Sequence, residues 1–176
     1  MGWQPAIDLT ANSDAPSMFG KPASYPFYVQ TIVYVGFTPG VGPNGHIFQL
    51  RWQNNEWHHK DLTDEASAPL AYSGVTAYPY YTGDSQHVVY LGQDGQGLFD
   101  NQVHELYAYQ DNKWHAHNLT KAVPGGAPLA LSDPTGYEFN DLQHVVYQGI
   151  DSHIYELWND SNGWHVNDLT IGARKF

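Results

Sequence analysis

Apolar and polar residues alternate with a period of two in short stretches along the chain, as in "HIYELW" (153–158) and "WHVNDLT" (164–170). No segment of ten or more residues carries convincing helical periodicity. The stretches recur in a fixed order. An Ala-Pro step (Ala15-Pro16, Ala68-Pro69, Ala127-Pro128) leads to an aromatic segment at Tyr25–Tyr28, Tyr78–Tyr81 and Tyr137–Phe139. Then come "TIVYVG" (31–36), "HVVYLG" (87–92) and "HVVYQG" (144–149), followed by "HIFQLRW", "VHELYAY" and "HIYELW". A Trp-led phrase closes each unit: "NEWHHKDLT" (55–63), "NKWHAHNLT" (112–120) and "NGWHVNDLT" (162–170). Each piece is β-branched or aromatic and is bounded by Gly, Pro, Asn or Asp, the pattern of short strands between turns. Asp94-Gly95 is a hairpin signal, with Asp151-Ser152 in the equivalent place.

The Asp/Asn-Leu-Thr element begins at 8, 61, 118 and 168, at intervals of 53, 57 and 50 residues. Four strands in about 50 residues is the period of a β-propeller blade. A β-sandwich is the structural alternative, but it does not require such regular repetition. The expected fold is therefore all-β: one β-propeller domain over 1–176, with blades over about 25–63, 76–120 and 135–170. The degenerate copy "GWQPAIDLT" is left as an orphan N-terminal strand at 3–10. Propellers close with about four to eight blades. Three blades thus predict a homo-oligomer, a dimer of six blades in which each open edge meets its partner.

Charge and composition narrow the ligand. The formal net charge is −11, with seven Lys and Arg in all, which argues against a nucleic-acid partner. Aromatic residues make up 15% of the chain, while charged residues make up 14% against about 25% in ordinary domains. Such a surface suits neutral ligands that stack on rings, as saccharides do. No apolar run approaches the length of a membrane span, and "MGWQPAIDLT" lacks the regions of a signal peptide, so a soluble chain is expected. The absence of cysteine excludes disulfides and cysteine-based metal or nucleophile sites.

At blade level the chain resembles the fucose-binding six-bladed propeller lectins of fungi and plant-pathogenic bacteria, whose bacterial members build rings from chains of a few blades. The family pattern is Arg-Val-Tyr, a turn, Ile-x-Glu-x-x-Trp, a turn, then Gly-Trp. Here Tyr147 to Glu156 spans nine residues and Glu156 to Trp164 spans eight, matching that spacing. Glu105 to Trp114 spans nine. The first unit has Gln49 in the Glu place, Trp52 three residues later and Trp57 eight later. The family's sugar-clamping Arg is absent, its slots being taken by the apolar Ile32, Val88 and Val145. His87 and His144 lie one residue earlier, hence on the opposite strand face from the missing Arg. The resemblance implies a carbohydrate-binding, non-catalytic propeller with altered ligand specificity.

The candidate ligand-binding residues are Gln49, Trp52, Trp57, Glu105, Trp114, Glu156 and Trp164. The carboxylates and the amide would accept or donate hydrogen bonds to sugar hydroxyls. The indoles would supply flat apolar faces, although a Trp repeated once per blade equally suits blade packing. Trp3 heads the orphan copy and would stand at a subunit junction. The ten His residues show no fixed ligand set, so structural His and no metal site are expected. The Asp-Leu-Thr ends are expected to make turn or cross-strand hydrogen bonds. No catalytic residue and no cofactor are expected, because a repeated slot suits repeated binding more than one reaction centre. A protein-binding scaffold and, less favoured, a propeller enzyme acting on glycans are the other readings.

Overall fold

A computed structural model describes residues 6–172. The strands of the first unit are β1 (Ser17–Phe27), β2 (Val29–Thr38), β3 (Gly42–Gln53) and β4 (Glu56–Asp61). The second holds β5 (Ala71–Tyr80), β6 (Ser85–Gln93), β7 (Phe99–Tyr109) and β8 (Trp114–Asn118). The third holds β9 (Thr135–Phe139), β10 (Leu142–Gln148), β11 (Ile154–Asp160) and β12 (Gly163–Asp168). Each unit is one antiparallel four-stranded meander with its strands in chain order. The first strands lie side by side, β1 next to β5 and β5 next to β9, so the sheets fan out as propeller blades do. In the first two blades β1 and β5 begin before Tyr25 and Thr76, because a β-bulge (Phe19/Ala23 and Ala71/Val75) carries the pairing further back.

Two cores hold the fan together, and each lies between blades. The face of the first blade turned toward the second (its back face) contributes Tyr25, Phe27, Val33, Val35 and Ile47. These pack on Val75, Val88, Tyr90, Leu106 and Trp114 of the second blade's front face. The second blade's back face, with Tyr78, Val89, Leu91 and Val103, packs in the same way on Val145, Tyr147, Tyr155, Leu157 and Trp164 of the third. The central blade is therefore covered on both faces, and β6 is buried from Ser85 to Gly92. In the third blade only alternate residues of β10 are buried, because its back face meets no further sheet. The repeated glycine at the end of each second strand (Gly36, Gly92, Gly149) makes room for an aromatic ring within the same blade. A Cβ there would lie 2.5, 2.5 and 2.6 Å from the rings of Phe48, His104 and Tyr155 on the neighbouring strand.

The Asp-Leu-Thr element makes the expected turn and cross-strand hydrogen bonds, and it does so as the start of a helix. Each copy caps a single-turn helix: α1 (Leu9–Asn12), α2 (Leu62–Ala66), α3 (Leu119–Ala122) and α4 (Leu169–Gly172). Asp61 accepts from the Asp64 N–H at 3.0 Å and Asn118 from the Lys121 N–H at 3.0 Å. The second side-chain atom of each cap pairs with the start of the blade's third strand: Asp61 with His46 at 2.8 Å and Asp168 with His153 at 2.7 Å. Where the cap is Asn118, its partner is Gln102, at 2.9 Å. The threonine hydroxyls of Thr63, Thr120 and Thr170 accept from the Ile47, Val103 and Ile154 N–H groups at 2.8, 2.9 and 2.8 Å.

The linker after each helix is equally regular, and it removes the orphan strand. Of the residues expected as strand 3–10, 3–5 lie outside the described part, 6–8 form no strand and Leu9 and Thr10 open α1. Asp8 caps that helix through the Thr10 and Ala11 N–H groups, both at 3.1 Å, which favours a helical turn over extension. The Ala15, Ala68 and Ala127 N–H groups bond to the carbonyls of Thr10, Thr63 and Thr120 at 2.9, 3.0 and 2.8 Å. Tyr34, Tyr90 and Tyr147 of the following blade then donate to the carbonyls of Pro16, Pro69 and Pro128 at 2.9, 2.9 and 2.7 Å. The N-terminal copy is thus the entry linker of the first blade.

Replacing Thr120 by Val strands a buried N–H on Val103, with an expected loss of about 1–3 kcal/mol in urea unfolding. Thr170→Val, at the exposed end of the third blade, is expected to lose less, because water can replace the hydroxyl there.

Candidate functional site

The junction of the second and third blades opens into a cavity of about 480 Å³, among whose lining residues are Tyr80, Glu105, Tyr107, His117, Gln143 and Trp164. Strand parity explains why these meet. Glu105 pairs with His117 across β7 and β8, on the back face of the second blade, while Trp114 pairs with Ala108 on the front face. The Glu and Trp of one blade therefore point to opposite sides. A site combines the Glu of one blade with the Trp of the next, here Glu105 with Trp164.

Glu105 is buried and held by two histidines, His87 Nδ1 at 2.8 Å and His117 Nδ1 at 3.8 Å. Burial alone pushes its carboxyl up, but the neighbouring His87 and His117 outweigh this and hold it below the usual glutamate range. A hydrogen-bond relay crosses the junction to this carboxylate. Asn159 Nδ2 donates to Gln143 Oε1 at 3.0 Å, and Gln143 Nε2 lies 2.7 Å from His87 Nε2. The His87 ring thus bridges the two blades, with Nε2 toward the Gln143 amide and Nδ1 toward Glu105. Tyr78 stacks on the His87 ring at 5.2 Å and 18°, and Tyr107 lies at 6.1 Å and 16°. Ser85 Oγ also stands 2.7 Å from His87 Nε2. Ser85, which is buried, shares that nitrogen with the Gln143 amide, and Ser85, His87 and Glu105 form one hydrogen-bonded chain at the cavity wall.

Sequence reasoning missed several residues of this cavity, Tyr80, Tyr107, His117 and Gln143 among them, and above all His87. The slots of the missing Arg, Val88 and Val145, are fully buried in the cores, whereas the histidine one residue earlier faces the cavity beside Glu105. The signal lay in the register: His87 and Val89 share a face, and Val89 is the cross-strand partner of Glu105.

The other two copies of the slot differ. At the first junction Gln49 is buried and donates to Tyr25 Oη at 3.3 Å and to Gln86 Oε1 at 3.2 Å, while Tyr25 donates to Gln86 at 2.8 Å. Its amide nitrogen is spent on Tyr25 of its own blade and Gln86 of the next, and Trp114 of the second blade belongs to the core. At the far end Glu156 lies on the third blade's open back face. There it has His144 at 3.0 Å and accepts from Tyr137 and Asn167, both at 3.3 Å. Tyr137 stacks on His144 at 5.1 Å and 10°, which repeats the Tyr78–His87 arrangement. Trp57 and Trp52 face each other at 5.6 Å on the opposite end of the fan, the first blade's front face. There Trp57 lines a groove of about 440 Å³ with Leu9, Gln30 and Ile32. Trp3 lies outside the described residues. Among the described residues one group with metal-ligand chemistry gathers, His46, Asp61 and Asp64, within 4.8 Å of one another; the Asp61 contacts are those of the helix cap.

No protein-family model and no curated protein matches the sequence. In fold the chain is similar to a fucose lectin from Kordia zhangzhouensis, solved in complex with methyl-fucoside. The TM-score is 0.54 at 18% identity, over 84% of this chain and 97% of that one. The chain therefore shares the architecture of that lectin. Among the described residues, no helix is long and apolar enough to cross a membrane.

Because the folded-state pKa of Glu105 is lowered, its ionised form stabilises the fold fully above the ordinary glutamate value of 4.5, and that contribution is lost as pH falls through the lowered value. The unfolding free-energy gap between the wild type and Glu105→Gln should hold steady just above that value and narrow on further acidification. Urea titrations between about pH 5 and pH 3 test this, and a gap that stays constant throughout counts against it.

Proposed function

We propose that this protein is a lectin-like propeller that binds neutral saccharides at blade junctions, without catalysis. The observation that carries the reading is the cavity between the second and third blades. It sets a carboxylate, held in its ionised form by two histidines, beside the Tyr107 ring of its own strand and across from Trp164 of the next blade. A carboxylate accepts two hydroxyls at once, and an indole face takes a sugar's C–H patch, so together they bind a neutral polyol without a counter-charge. The Kordia lectin supports the ligand class, since it was solved with methyl-fucoside. In this chain the slots of that class's Arg are filled by the buried Val88 and Val145, and His87, on the other strand face, stands beside Glu105 at the cavity. The histidine presents its hydrogen bond to the protein's own carboxylate, so Glu105 itself is left as the principal polar contact for the sugar.

Multivalency requires a second copy in this reading. Inside the chain a back face is twice packed on a front face. The two ends of the fan carry the remaining members of the set, the back face with Glu156 and the front face with Trp57. Two copies joined back to front make six blades, and the Glu156 half-site then receives Gln30 and Trp57 in the positions that Gln143 and Trp164 hold beside Glu105. Weak sites multiplied in this way gain avidity without new contacts.

Calorimetric titration with methyl-fucoside and a panel of other neutral methyl glycosides tests the site. Trp164→Ala and Glu105→Gln should each weaken binding at least about tenfold, roughly 1.4 kcal/mol, while the exposed control Glu56→Gln leaves it unchanged. Absence of heat with every neutral saccharide at millimolar concentration sinks the saccharide reading. Sedimentation should give a mass of about twice the 19.7 kDa of one chain; a mass of one chain at all concentrations rejects the six-bladed ring.

A further inference from the structure

The linker helices differ in one respect that the repeat itself does not explain. α2 and α3 each run from the end of one blade onto the next. Leu62 and Leu119 are fully buried in the junction cores, which are shared with the following blade. α1 sits on the first blade in the same relation, with no blade before it among the described residues: Leu9 packs against the Tyr34, Phe48 and Leu50 cluster, and Tyr34 holds the Pro16 carbonyl. α4 is built to the same local plan. Asp168 accepts from the Thr170 and Ile171 N–H groups at 2.9 and 3.1 Å, and Thr170 Oγ1 accepts from Ile154 N–H. Yet it has no blade in front of it among the described residues, and Leu169 is 37% and Ile171 75% exposed.

We infer that α4 is an unseated linker whose seat is the front face of the first blade of a second copy, and that α1 of that copy already occupies the seat. This rests on the back-to-front ring proposed above. The occupant follows from the interfaces already inside the chain, where the same motif is seated twice on front faces of the same make. A ring of two copies then has two linker helices for each seat at its subunit junctions. With α1 in place, the sheets close and α4 stays free. With α1 released, α4 takes the seat and carries its Leu169 into the cluster, an exchange of equivalent elements between copies. In the single chain Leu9 is part-buried against one blade, where Leu62 and Leu119 are fully buried between two. The N-terminal segment thus acts as a built-in competitor that sets how firmly the two copies are tied.

A double-mutant cycle on self-association tests the exchange, with the 176-residue chain followed by sedimentation. Leu169→Ser in the wild-type background should change the dimer dissociation constant by less than about twofold, because α4 is not seated. In a Leu9→Ser background, where the seat is vacated, the same change should weaken the dimer more than about tenfold. Asp8→Ala, which removes only the helix cap, serves as the second background, and thermal melts of both establish that the blades remain folded. Equal effects of Leu169→Ser in all backgrounds, in a protein that does dimerise, overturn the exchange and leave the ring standing. A wild type that remains a single chain overturns the ring, and the exchange with it.

Discussion

The back face of one blade packing on the front face of the next is the interaction from which the remaining features follow. A four-stranded meander of this size cannot bury two apolar faces by itself, and the hydrophobic gain lies almost wholly between sheets. Tyr78, Val89, Leu91 and Val103 have no core of their own until Val145, Tyr147 and Leu157 cover them. The linker helices lock this stacking. Leu62 and Leu119 enter the junctions as apolar plugs, each worth about 1.5–3 kcal/mol when fully buried, while the Thr and Tyr hydroxyls satisfy the backbone groups that the plugs would otherwise strand.

The candidate site is a place where that stacking is left unfinished on purpose of shape. The same slot appears three times with three outcomes. Gln49, a neutral amide, can donate, and its Nε2 is drawn into the Tyr25–Gln86 network at the first junction. Glu105 can only accept when ionised, and its two histidines leave it an oxygen-lined edge of an open cavity. Glu156 is pre-arranged by His144, Tyr137 and Asn167 but has only half its walls. One substitution in a repeated position and one unpaired face thus separate a filled joint, a pocket and a half-pocket.

Much of the architecture was legible in the chain. Period-two alternation, the Gly/Asp/Asn turns and the return of the same phrases about every 50 residues lead to three four-stranded blades, and these are present. The Asp-Leu-Thr helices were not legible because a single turn leaves no periodicity to detect. Their signature is a capping side chain, which resembles a turn residue in sequence. The N-terminal copy looked like a spare strand for the same reason.

The site divides along a similar line. The residue types, a carboxylate or its amide and an indole in every unit, are local properties that composition and spacing display. Their partnership is not local: strand parity turns Glu105 and Trp114 to opposite faces, and blade stacking brings Glu105 to Trp164 from about sixty residues away. The sequence by itself determined the repeat, the strands and the chemistry available on each face. Only the tertiary structure decided which faces meet, which slot stays open and that His87 belongs to it, because these depend on the packing of one sheet against another.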